Sequence, residues 1–465
     1  MVNGKDAIRW ALLVCALFPV LWPIYAQDSS EKTSRKIEFS LARLDEKIAK
    51  QTAEIERSPT SASPYFQRAV LLEKKQELVR AIKDYGEAIR LDPVPRYHLL
   101  RGQLWHEMGE SKLAEQDFDE ALLLISEIIR NDARLEPEFH QERAWAWYAK
   151  GHVANAIKYL DLAYANETDL PRSTILRMRG LAWWQLGDLD KAETDFDSAL
   201  EIDPLRPASH CERGRLHVAR GDHRRAIIEF NEAIRLDPKQ PFIYTTRALA
   251  HLTLHEFEKA ISDCSEAIKI FPLYAPAYRH RGCARLSLGQ IDLALDDFNQ
   301  AVQFTPSYAR PVVRGRELSP IRSAFERVYY YDFLPQLDRA GIWRMKGEWE
   351  KAIDDLKETL RMDPASSQAQ NDLAWVQATC PDAKYRDGKS AIELARKACE
   401  ATKWKKDDYI VTLAAAHAEV GEYDEAVKRM TQASEIDPKR DAATREQLLK
   451  LFKQSMPYRD SVKDK

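Results

Sequence analysis

The chain has 465 residues, 31% of them charged and 45% hydrophobic, which excludes both a disordered tail and a multi-span membrane protein. Lys and Arg total 70 against 73 Asp and Glu, a net charge of −3, whereas a general nucleic-acid binder needs a basic surplus to neutralise phosphates. With only 16 Gly and little strand-like alternation, an all-α protein is predicted.

At the N-terminus, Lys5 and Arg9 precede an uncharged run from Trp10 to Ala26, which ends Ile24-Tyr25-Ala26 before Gln27. A basic start, an apolar core and a small residue at a cleavage point describe a signal peptide over residues 1–26. The run contains Pro19 and Pro23 and is shorter than the about 20 residues of a spanning helix. A retained N-terminal anchor is the alternative. Both readings predict an exported protein, periplasmic or membrane-associated, with membrane contact only if the segment is not cleaved. Residues 27–61 read as a linker and a leading helix over 35–57, with Ile37, Leu41, Leu44, Ile48 and Ile55 at coiled-coil-like spacing.

A fixed period governs most of the remaining chain. Pro204, Pro238, Pro272 and Pro306 are each 34 residues apart. Each unit also carries a small residue (Gly180, Gly214, Ala248, Gly282) and an alanine (Ala192, Ala226, Ala260, Ala294). Phe196, Phe230, Cys264 and Phe298 come next, and then Ala199, Ala233, Ala267 and Ala301. Small residues let two antiparallel helices approach, the larger side chain fills the gap, and Pro stops the second helix. Gly187, Gly221 and Gly289 stand where the turn between helices needs φ > 0.

This pattern resembles the tetratricopeptide repeat (TPR) family, whose helix–turn–helix unit is about 34 residues long. The resemblance implies a right-handed superhelical solenoid of about ten repeats. They start near Ala62, Pro95, Pro137, Ser173, Pro207, Pro241, Ala275, Phe333, Ser367 and Asp407. Repeats 1–7 form a block over 62–306, and repeats 8–10 a second block over 333–440. Between them, residues 307–332 form an Arg- and Tyr-rich connecting segment, either a packed connecting helix or a docking hinge. The second repeat lacks its closing Pro, the third has Leu160 in place of the aromatic, and the ninth carries an inserted loop from Cys380 to Gly388. That loop is similar to a variant of exported bacterial TPR proteins. A capping helix is predicted over 441–455, followed by a polar tail, 456–465. Cys380 and Cys399 are left open between a bridge and two thiols.

One pattern cuts across the repeats. Arg68, Arg101, Arg143, Arg179, Arg213, Arg247, Arg281 and Arg339 each precede the small position. Sixteen residues later stands an acid in seven of the eight, Tyr159 being the exception. The reading is a structural ladder of Arg–carboxylate pairs.

In the family, the first helices line a concave groove, and positions near the small residue touch bound peptides. The resemblance therefore nominates an aromatic patch (Trp145, Tyr148, Trp184) beside three spaced arginines (Arg177, Arg215, Arg279) as a protein-binding site. The other reading of these residues is packing aromatics and solvated arginines. The Lys and Asn pair that clamps C-terminal carboxylates in chaperone-binding members is absent. Nothing catalytic is visible: His251 and His255 lack a third metal ligand in sequence, and no phosphate loop, nucleophile elbow or CxxC pair occurs. The expectation is a non-enzymatic protein-interaction scaffold of the cell envelope, without metal or cofactor. It would bind a protein or peptide with acidic residues, and no nucleic acid. The alternative is a structural assembly subunit using its outer faces or ends.

Overall fold

In a computed structural model, residues 31–75, 77–166, 171–272, 274–304, 335–438 and 441–460 are described. The signal-peptide and connecting-segment readings fall outside these residues. The described chain is helical, without a strand, and divides into two compact units, residues up to 288 and residues from 289 onward.

The first unit holds α1 (Glu31–Arg57), α2 (Ala62–Lys74), α3 (Leu78–Leu91), α4 (Pro95–Glu107) and α5 (Ser111–Asn131). It continues with α6 (His140–Ala149), α7 (Val153–Ala165), α8 (Arg172–Gln185), α9 (Leu189–Ile202) and α10 (Pro207–Ala219). Then come α11 (His223–Leu236), α12 (Pro241–Thr253), α13 (Phe257–Ile270) and α14 (Ala275–Ser287). The second unit holds α15 (Ile291–Phe304), α16 (Pro335–Met345), α17 (Trp349–Met362) and α18 (Ser367–Thr379). It ends with α19 (Gly388–Ala401), α20 (Asp407–Glu419), α21 (Tyr423–Ile436) and α22 (Ala442–Lys453). Within each unit, each helix packs on its sequence neighbour.

Local chemistry sets the period. Pro95, Pro207 and Pro241 open α4, α10 and α12 at the position where a missing N–H costs nothing. The turn residue takes φ of 84° at Gly187 and 78° at Gly221, and His255 accepts the same left-handed geometry at 58°. Asp203 and Asp237, in non-helical conformation before their prolines, end α9 and α11. The third repeat departs from expectation at its start. α5 runs on to Asn131, so Pro137 lies inside a short 3-10 turn, Ala133–Phe139, rather than opening a helix.

The arginine ladder forms and has a second side, sixteen residues back from Arg68, Arg213, Arg247 and Arg281, that the sequence reading does not include. Arg179 donates to both Asp195 oxygens at 2.8 and 2.6 Å, and Arg339 to both Asp355 oxygens at 2.8 and 2.7 Å. Arg68, Arg101 and Arg247 hold Asp84, Asp117 and Asp263 in the same way. The opposite edge of the guanidinium reaches back to the preceding pair. Arg213 bonds Asp197 at 2.8 Å as well as Glu229 at 2.8 Å, Arg247 bonds Asn231, and Arg281 bonds Ser265. Arg68 reaches Thr52 of α1 at 3.1 Å, so the leading helix stands in for the second helix of a preceding repeat. Where the acid is missing, the Arg143 guanidinium lies 5.2 Å from the centre of the Tyr159 ring instead.

Each rung thus joins neighbouring repeats as well as the two helices of one hairpin. Replacing Arg213 with Leu will remove both rungs but leave Glu229 bonded to His210 at 2.9 Å. The retained partner places the loss near 1–2 kcal/mol, between a solvated pair and an orphaned buried charge. A thermal melt reads this as a drop of a few degrees; an unchanged midpoint would mean the ladder carries no stability.

The second unit is closed by α22, whose buried Arg445 donates to the carbonyls of Ala433 and Asp437 at 3.1 and 2.6 Å. Cys380 and Cys399 are both buried free thiols.

Candidate functional site

The face formed by the first helices of the hairpins in the first unit carries the sequence-nominated residues, and it does not treat them alike. Trp145 is half-buried among the core side chains around Leu99 and Phe118, and Tyr148 packs toward Val153, Ile157 and Ala182. Trp184 is 5% exposed, in the core with Ala192, Phe196 and Leu216. The aromatic patch is therefore largely a packing feature with exposed edges.

The arginines separate more sharply. Arg177 on α8 is 4% exposed, and its Nη1 donates at 2.5 Å to Glu212 on α10, itself 5% exposed. It is an interior residue, not a free cation. Arg215, half-buried one turn beyond Glu212, lies with its guanidinium 5.7 Å from the centre of the Trp184 ring. Arg279 lines a separate cavity of about 380 Å³ with Leu249, Leu252, His255, Phe257 and Cys283.

Glu212 is the residue that sequence reasoning missed. Burial pushes its carboxyl up, toward the protonated form, and the nearby charges of Arg177, Arg215 and Arg206 oppose that push. Burial also lowers Arg206, with the positive charge of Arg177 adding to it. Arg177 Nε and Glu212 Oε2 are buried without a hydrogen-bond partner. Three cations thus surround one buried acid, and Arg206 also faces Asp203 at 3.9 Å. The 35-residue separation of Arg177 and Glu212, one repeat plus one position, was the available signal.

Histidines beneath this face are structural. His251 Nδ1 pairs with Glu256 at 2.6 Å, while His255 sits in the turn. Among the described residues, no three His, Cys, Asp or Glu gather to hold a metal ion. Burial pushes the His280 imidazole down to about 3, and the charge of Arg279 adds to the effect. An unfolded His titrates near 6.5, so the unfolded chain takes up a proton that the folded one refuses. The stability from neutral His280 is therefore present above about pH 6.5 and lost as pH falls toward 3, by at most about 1.4 kcal/mol per pH unit. Melting curves at pH 7 and pH 5 should converge in a His280→Leu variant; an equal acid shift in both proteins would refute this.

A profile of the tetratricopeptide repeat matches residues 106–171, 177–241 and 245–309. Residues 106–309 carry tetratricopeptide repeats. Among curated relatives of this TPR chain, tetratricopeptide repeat protein 16 of Macaca fascicularis is 25% identical over 172 residues, covering 36% of this chain and 20% of the relative. The chain thus spans well under half the length of that relative. A solved tetratricopeptide repeat protein from Parabacteroides merdae is 17% identical, with a TM-score of 0.38 over 60% of this chain and 98% of that one. The first TPR of Spaghetti (RPAP3) bound to the HSP90 peptide SRMEEVD is 29% identical, with a TM-score of 0.22 over 22% of this chain and 81% of that one. TPR proteins generally mediate protein–protein interactions, and the family is typically a non-enzymatic scaffold. No described helix of this TPR chain is long and apolar enough to cross a membrane.

Proposed function

We propose that this TPR protein is a cell-envelope scaffold that binds an extended, acidic segment of a partner protein on the first-helix face of its first unit. The observation that carries the reading is the gathering of three arginines around Glu212. Arg206 and Arg215 border a buried Arg177–Glu212 pair, and Trp184 gives Arg215 an apolar seat. A carboxylate entering there would meet charge-assisted donors at a partly desolvated wall, where such bonds are strongest. Arg279 and its cavity lie on α14, far enough along the stack to take a second anchor of the same segment. The envelope assignment is supported by the basic start and apolar run of residues 1–26.

The test is cross-linked affinity capture from the envelope fraction, comparing wild type with an Arg215→Glu, Arg279→Glu variant. Arg177 must stay, because charge reversal at a buried pair would unfold the unit rather than probe its surface. A partner held by wild type, lost from the variant and released by raised salt supports recognition at this face. A partner retained equally by both would favour the outer faces or ends instead.

A further inference from the structure

The second unit presents the same kind of face, and there it is occupied. α22 ends at Lys453, and Ser455 takes a left-handed φ of 54°, with the Met456 N–H donating back to the Leu451 carbonyl at 3.0 Å. Pro457 comes next, which cannot continue a helix. The chain therefore reverses and lays residues 457–460 across the first helices of three successive hairpins, α16, α18 and α20.

Each tail side chain has a partner on these helices. The Tyr458 ring packs 5.8 Å from the centre of the Trp375 ring on α18. Arg459 pairs with Glu419 of α20 at 2.6 Å. Asp460 accepts from the Trp375 indole N–H at 3.0 Å and lies 3.9 Å from Arg344 of α16. The Asp460 N–H also donates to the Thr379 carbonyl at 2.8 Å, one of the acceptors left open where α18 ends. Trp375 directly follows the small residue Ala374, so it holds the register that Trp145 and Arg215 hold in the first unit.

We propose that this face is a second recognition site, for an extended segment of another protein that presents an aromatic residue, a basic residue and a carboxylate in succession. The chain's own Tyr458-Arg459-Asp460 acts as its resident competitor. The match of ring to ring, base to Glu419 and acid to Trp375 and Arg344 specifies the chemistry of the incoming segment. A tethered tail competes at an effective concentration of order millimolar, so an outside segment must be tighter than the tail or arrive when the tail is weakened. The site uses none of the arginines invoked for the first unit, so either proposal can fail alone.

The probe is a fluorescent peptide copying residues 454–460, titrated into the full chain. The Tyr458→Ala, Asp460→Ala chain is expected to bind it at least tenfold tighter than wild type, with or without Arg215→Glu and Arg279→Glu. In the tail-weakened background, Trp375→Phe keeps the ring but loses the N–H donor. It should weaken this peptide at least threefold, whereas Arg344→Gln should reduce its preference over the Asp-to-Asn form. Equal affinity of wild-type and tail-weakened chains would overturn the proposal. So would a wild-type dimer that Asp460→Ala dissolves, because the occupant would then be a second copy of this chain. An unchanged melting curve for Trp375→Phe shows that loss of binding is not loss of fold.

Discussion

Replacing Arg177 with Ala will destabilise the first unit by about 3–5 kcal/mol, because it strands Glu212 in the interior. Arg206 and Arg215 remain near the stranded carboxylate, which draws the cost toward the lower end of that range. The loss should depend on pH. Burial already raises Glu212, and without Arg177 it rises further, so the folded state holds a proton that the unfolded state has released. Stability then falls as pH climbs above the ordinary carboxylate range, and the deficit is larger at pH 8 than at pH 5. Changing Arg177 and Glu212 together to Leu removes both charges and should return most of the stability, since well-packed apolar pairs often equal buried ion pairs. Urea unfolding at the two pH values checks this. A double variant no better than Arg177→Ala would show that the pair matters for its shape rather than its charge.

Phe230→Ala will cost a similar about 3–5 kcal/mol by opening a cavity between α10 and α11, where the ring is wholly buried. The informative step is the next one. A Cβ added at Gly214 would lie 2.7 Å from Phe230 Cε1 and 3.1 Å from Glu229 Cβ, closer than side chains approach. In the wild type, Gly214→Ala gains about 1 kcal/mol of helix propensity but meets an overpacking cost of about 1–3 kcal/mol, so it destabilises. In the Phe230→Ala background the clash with the ring is gone and only the 3.1 Å approach to Glu229 Cβ is left, so the same substitution should stabilise, by less than the about 1 kcal/mol of helix propensity. A reversal of sign in this cycle is the expected outcome. The same sign in both backgrounds would mean that Gly214 is small for some reason other than Phe230.

The chain already contains versions of this exchange. Gly102 and Gly180 face Phe118 and Phe196 as Gly214 faces Phe230. Where the small residue is alanine, the side chain sixteen residues on is shorter: Ala248 with Cys264, Ala144 with Leu160, Ala340 with Leu356. Leu160, an exception to the aromatic pattern, therefore follows the volume rule. Ala69 with the buried Tyr85 is the pair this rule does not explain.

Such pairs were legible because contacts within a hairpin join residues a fixed sixteen apart, two antiparallel helices of set length sharing one turn. A period in the sequence therefore states a contact directly. Helix placement, the turn glycines, the small–large pairs and the first side of the arginine ladder all belong to this class. The all-α repeat architecture was determined by the sequence alone for the same reason.

What the tertiary structure decided are the contacts between repeats, which depend on how one hairpin stacks on the next. Arg177 and Arg279 share a register, three residues before the small position, yet stacking buries Arg177 against Glu212 while Arg279 lines a cavity. The reach of Arg213 back to Asp197 also spans sixteen residues, but it crosses between repeats and is recognised only when α10 is placed beside α9. Residues 456–465 read only as a polar tail, since Tyr458, Arg459 and Asp460 have no periodicity to announce a partner. Their role appears only when α16, α18 and α20 bring Arg344, Trp375 and Glu419 to one face. Local periodicity fixes which residues point inward within a repeat; burial, charge pairing and occupancy of that inner face are settled by neighbours that arrive from other repeats.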